Sequence, residues 1–255
     1  MKSLIATSFV MLVICLLAAG ASAQQASNPP FDFPLHGIEP PEPSNDDRHS
    51  WREEDRVLKK GPLAPSENDR LLFSRFLRGR HTGLVRLMPP GIYISATYRS
   101  KKQPKVLGGG TYYSFAKLTH GYGSGSDIEL DRKNLDVGLG GANYGILTIL
   151  GDRPLEEIML NDPSCRFIAQ YAPARTVKSA HSESRRFQAG VTIDGALYQS
   201  RIPIQAGTTY LLRSIVYLES DELVALRVVR TEANGSVIIA WKRLKKYPAP
   251  RLQRK

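Results

Sequence analysis

An all-β fold is what this sequence predicts: an antiparallel β-sandwich or open barrel with one short N-terminal helix. Three observations carry the prediction. Asn234-Gly235 sits between two β-branched-rich runs, and that pair readily takes the positive φ angles of a two-residue type I′ hairpin turn. Asp194-Gly195 repeats the signal upstream. From Thr82 onward the chain is a series of short β-branched and aromatic runs parted by Gly, Pro, Asn and Asp.

In chain order, residues 1–23 have the pattern of an export signal, with Lys2 at the charged end, an apolar stretch over 4–17 and Ala21-Ser22-Ala23 as the cleavage pattern. The apolar stretch is too short for a membrane span, and no later segment is long enough, so the expectation is an exported protein, periplasmic or extracellular, with no transmembrane segment after cleavage. Beyond the signal one cysteine remains, Cys165, so no internal disulfide is possible and a core must hold the domain. Residues 24–50 carry six prolines among polar residues and read as a flexible leader.

Residues 51–80 read as a short helical segment. Ser66 with Asp69 resembles a capping box, Leu71, Leu72, Phe73, Phe76 and Leu77 form an apolar side, Gly79 stops the helix, and Arg70, Arg75, Arg78 and Arg80 make its other side basic. Residues 82–247 are expected to form a single β domain, with strands at 83–88, 92–98, 111–118, 127–130, 144–150, 166–171, 186–193 and 196–204. The run 209–247 reads as a three-stranded meander. A two-residue turn at Asn234-Gly235 puts Val224, Leu226 and Val228 on one face with Val237, Ile239 and Trp241, and a Glu219-Ser220 turn adds Leu211 and Ile215 to it. The other face mixes apolar residues with Arg227 and Lys242, as suits a sheet only partly covered there.

Of the net charge of +11, seven basic residues in 242–255, with no acid among them, supply +7. Lys242, Arg243, Lys245 and Lys246, followed by a basic tail at 248–255, therefore mark the end that would draw an anionic envelope polymer or glycan. No nucleic-acid motif accompanies the charge, so specific nucleic-acid binding is not expected. Ten of the 21 glycines fall between Gly108 and Gly145, interleaved with Tyr112, Tyr113, Tyr122 and Tyr144. Aromatic rings shown on glycine turns are a candidate ligand-binding platform, because a ring offers contact area at low entropic cost. No helix pattern follows these glycines as a phosphate-binding loop requires, and no cofactor is expected. Asp127, Glu129 and Asp131 alternate along one strand and form a weak calcium candidate.

The segments TYLLRSIVY at 209–217, LVALRVVR at 223–230 and GSVIIAWKRLKKYPAP at 235–250, with GGGTYYSFAKLTHGYGSGSDIEL at 108–130, resemble a group of exported bacterial proteins without an assigned activity. That resemblance implies compartment and architecture, and it transfers no catalytic residue. His120-Gly121 and Ser164-Cys165-Arg166 resemble the His-Gly and Ser-x-Gly-Cys-x-Arg elements of L,D-transpeptidases, although Ser164 here directly precedes the cysteine and the intervening glycine is absent. The leading expectation is therefore a non-enzymatic binding protein. The alternative is an exported cysteine hydrolase or transpeptidase using Cys165 with His120 or His181.

Overall fold

The structure is a computed structural model that describes residues 61–89, 91–93, 110–120 and 125–253. The expected export signal, the proline-rich leader, Tyr122 and most of the expected strand at 92–98 lie outside them; Ile92 and Tyr93 sit in a helical turn, both N–H groups donating to Pro89 O.

The strongest hairpin forms between Ser220–Thr231 (β10) and Val237–Tyr247 (β11). Its turn is longer than expected. Gly235 N–H donates to Glu232 O (2.9 Å), Glu232 N–H donates to Ser236 O (2.8 Å), and only Gly235 of the turn has positive φ, 83°. This is a type I turn closed by a glycine bulge, a three-residue hairpin loop. The extra residue would invert the facing of one strand, but an irregularity between Val228 and Arg230 restores it, giving Val228↔Ile239 and Leu226↔Trp241. Val224, Leu226, Val228, Val237, Ile239 and Trp241 accordingly share one buried face, as expected.

Thr209–Val216 (β9) differs from expectation. Leu218 takes the left-handed position (φ 68°) and Glu219 N–H donates to Val216 O, so the turn closes on Val216↔Ser220 rather than around Glu219-Ser220. The register is therefore shifted by three residues, an odd number, which exchanges the two faces of the strand. Tyr210 and Leu212 join the first face, and Leu211 and Ile215 lie on the other.

Thr82–Leu87 (β1) and Tyr144–Gly151 (β5) complete a five-stranded antiparallel sheet ordered β1-β11-β10-β9-β5. Over one face lies a smaller sheet of Tyr112–Tyr113 (β2), Ile128–Asp131 (β3), Asn134–Asp136 (β4) and Arg201–Pro203 (β8), ordered β2-β3-β4-β8. The two enclose a core of Leu87, Phe115, Leu130, Leu135, Leu212, Leu226 and Trp241 among others, so the architecture is a sandwich. Among the described residues the ladders do not close into a barrel: one seam carries the isolated Leu147↔Gln199 bridge, and the other carries Met88 N–H donating to Gly110 O with side-chain bonds from Thr111 to Met88 O and from His120 to Arg86 O.

The second face of the large sheet is covered by helices where strands were expected. Arg166–Gln170 is a helix (α2), and Val177–Ala189 is another (α3), begun by a Thr176/Ser179 capping box and ended at Gly190, φ 83°. Val191–Ile193 (β6) and Ala196–Tyr198 (β7) then form a hairpin on Asp194-Gly195, both at positive φ, as read from the sequence. The β propensity of Phe167, Ile168 and Tyr171 is overruled because a short helix lets Ile168 bury fully against the sheet. In α3 only Ala180 and Phe187 are fully buried, so its sequence shows almost no apolar stripe.

Polar groups lock this layer down. Arg213 and Asp221, both fully buried, pair through Nε (2.6 Å) and Nη2 (2.9 Å), while Arg213 Nη1 donates to Ile168 O and its guanidinium lies 3.5 Å from the Tyr247 ring centroid. The hydroxyls of Tyr217 and Tyr247 donate to Ala174 O (2.6 Å) and Ala169 O (2.7 Å). The basic tail follows the same layer: Pro250 O accepts from Leu218 N–H and Gln253 N–H donates to Arg175 O.

Candidate functional site

The expected capping box is present at Glu67–Leu72 (α1): Ser66 Oγ accepts from Asp69 N–H, and Asp69 accepts from Ser66 N–H. Asp69 is the buried residue of this helix. Arg230 of β10 pairs with both its oxygens, and this guanidinium holds the carboxyl below its ordinary range. With Asp69 turned to the sheet, the apolar side points partly outward, leaving Leu71 63% and Leu72 75% exposed. Phe73 and Phe76 instead pack at the edge of the helical-side core, ring to ring at 6.3 Å in a T shape. Thr82 Oγ1 fixes the next turn by donating to Gly79 O (2.8 Å).

Between this segment and the edge of the large sheet runs an open groove of about 960 Å³, lined by Leu72, Phe73, Phe76, Arg75, Arg80 and Lys242, with Glu156 opposite. Among the described residues Arg75, Arg80 and Lys242 form no ion pair. Lys242 Nζ donates to Glu156 O (3.2 Å), and burial lowers the pKa of its ammonium. An apolar floor with unpaired cations along its rim suits a ligand that is greasy at one end and anionic at the other.

Only Lys242 of the four expected cations faces this groove. Arg243 is engaged elsewhere, its Nη1 donating to buried Glu222 (3.0 Å) and its Nη2 lying 2.8 Å from His81 Nδ1, while Lys245 and Lys246 are exposed. Among the expected ring platform, Tyr113 packs against Phe115, His120 and Trp241 between the sheets, and Tyr144 is buried with its hydroxyl 3.0 Å from that of Tyr171; Tyr112 is half-buried.

The three alternating acids also part company. Asp127 is fully buried and accepts from Phe115 N–H (2.6 Å) and Ser114 Oγ (3.2 Å); burial, reinforced by nearby Glu222, pushes its pKa up to about 6. Asp131 pairs with Arg201 (2.6 Å), and burial raises the pKa of Glu129. Among the described residues no group of three or more His, Cys, Asp or Glu is placed to hold a metal ion.

Cys165 is fully buried in the helical layer, where burial and then the charge of Asp162 push its thiol up. His120 is buried on the other side of the large sheet and His181 is exposed on α3, so the structure does not bring these groups together. What sequence reasoning missed was that Arg75 and Arg80, beyond the end of α1, line one groove with Lys242. The basic helix side was the visible signal; Glu156, in the single 3-10 turn Leu155–Glu157, gave none. No family model, curated protein or solved structure matches the chain.

Proposed function

We propose that this is an exported, non-enzymatic protein that binds an anionic amphiphile of the cell envelope in the groove beside α1. The observation that supports it is the apolar floor of Phe73 and Phe76 edged by Arg75, Arg80 and Lys242, three cations without an intramolecular ion pair among the described residues. The acyl or aryl part lies against the rings and Leu72, and the phosphate or carboxylate lies among the cations. The reading keeps the anionic partner expected from charge and keeps Lys242 of the basic C-terminal end, but replaces Arg243, Lys245 and Lys246 with Arg75 and Arg80 and gives no part to the tyrosine and glycine loops. Loss of hydration from Lys242 strengthens its attraction for an anion relative to a fully solvated lysine.

Sedimentation with phosphatidylglycerol and phosphatidylcholine vesicles tests this. Binding to the anionic vesicles is expected, weakening with added salt. At ~1 kcal/mol per cation near an anionic surface, Arg75→Ala with Lys242→Ala should lower it by about 30-fold. Leu72→Asp should weaken it as well. Equal binding to both vesicle types, or equal binding to dextran sulfate that Leu72→Asp leaves untouched, would overturn the reading.

A further inference from the structure

A second cavity, of about 210 Å³, opens at the seam where β1 and the β2 side of the sandwich fail to form a ladder. Thr82, Gly83, Leu84 and Val85 supply one wall, Leu63 and Pro65 another, and the rings of Tyr113, His120 and Trp241 the inner end. Leu118, 49% exposed and held at φ 57°, forms the lip. Two side-chain nitrogens here are buried without a hydrogen-bond partner among the described residues: His120 Nδ1 and Trp241 Nε1, on residues 1% and 3% exposed.

Their chemistry is complementary. His120 Nε2 lies 2.8 Å from Arg86 O, a carbonyl that can only accept, so Nε2 carries the proton and Nδ1 presents a lone pair. Burial lowers the pKa to about 4, which keeps the ring neutral in that tautomer at pH 7. Indole Nε1 can only donate. Gly83, cross-strand partner of Trp241, permits this placement, since a Cβ there would fall 2.6 Å from Nε1. An acceptor and a donor unpaired in one aromatic-walled pocket call for a group that both donates and accepts.

The geometry points to a binding site for a small neutral phenol or alcohol, its hydroxyl bridging His120 Nδ1 and Trp241 Nε1 and its apolar body filling the space under Leu118. The volume exceeds the ~150 Å³ of an engineered cavity that holds benzene. The site is separate from the groove beside α1, and its test does not depend on that reading.

Phenol is the probe, with toluene as the isosteric control lacking the hydroxyl. In a Trp51→Phe background, the indole N–H resonance of Trp241 should move saturably with phenol, with Kd on the order of 1 mM for so few heavy atoms. Toluene should bind about fivefold to thirtyfold more weakly, the worth of one or two net hydrogen bonds. His120→Phe should abolish that preference. Toluene binding as tightly as phenol, or no saturable shift with phenol, overturns the proposal, and both readouts stand on the parent pocket even if His120→Phe fails to fold.

Discussion

The two faces of the five-stranded sheet solve burial differently. Toward the small sheet, β-branched and aromatic side chains interdigitate into an almost wholly apolar core. Toward the helices, the apolar residues are stitched together by Arg213, Asp221 and the hydroxyls of Tyr144, Tyr217 and Tyr247. Sheet-on-sheet packing satisfies its backbone groups through the ladders, and the side chains need contribute only apolar area. Short helices and loops bring carbonyls such as Ile168 O, Ala169 O and Ala174 O to the interface, and buried donors must meet them.

The sharpest break in this comparison is Asp221→Ala. It strands the buried Arg213 guanidinium and should cost about 3–5 kcal/mol in denaturant unfolding, whereas Arg213→Met with Asp221→Leu, which removes both charges, should recover most of that. Were the single and double variants equally destabilised, the pair would not be what distinguishes the helical face.

The inter-sheet face has polar exceptions near its margins, and they make opposite contributions with pH. Asp127, raised from an ordinary 3.8 to about 6, holds its proton more tightly in the folded state, so its contribution to stability is lost as pH rises from about 4 to about 6. His120, lowered from 6.5 to about 4, contributes stability above 6.5 that is lost as pH falls through about 4. The stability of Asp127→Asn relative to the parent should therefore rise by about 2 kcal/mol between pH 4 and 6.5, from ~1.4 kcal/mol per pKa unit with titration incomplete at both ends of that range. A pH-independent difference would show that Asp127 titrates normally.

The smallest effect is Tyr217→Phe, which deletes one hydroxyl and leaves Ala174 O without that donor. About 1 kcal/mol is expected, with amide exchange quickening around Ala174 before β9 is affected. Uniform loss of protection across both faces would mean that the helical layer does not loosen separately.

This contrast explains what was legible. The apolar face of β10 and β11 could be read because alternation there is strict, and the bulge at Val229 cancelled the misjudged turn length. No such cancellation occurred in β9, where the turn at Leu218 shifts the register by three residues and exchanged Leu211 and Ile215 for Tyr210 and Leu212. In the groove, Lys242 was singled out for its charge and the helix for its arginines, but their meeting depends on Asp69 facing Arg230, a contact between residues 161 apart in the chain. Tyr113 and Tyr144 could not be told from exposed rings, since tyrosine serves a strand equally well on either side.

By itself the sequence determined the antiparallel β class, the Asp194-Gly195 hairpin, the capping box at Ser66 and the basic character of the C-terminal end, because each rests on near neighbours and their φ, ψ or charge preferences. Tertiary structure alone decided that 166–170 and 177–189 are helices, that Leu71 and Leu72 face outward, and that His120 and Trp241 line one cavity at an open seam. Those outcomes turn on which surface is left to cover once the sheets have formed, and burial against a distant partner outweighs the few tenths of a kcal/mol that separate local conformations.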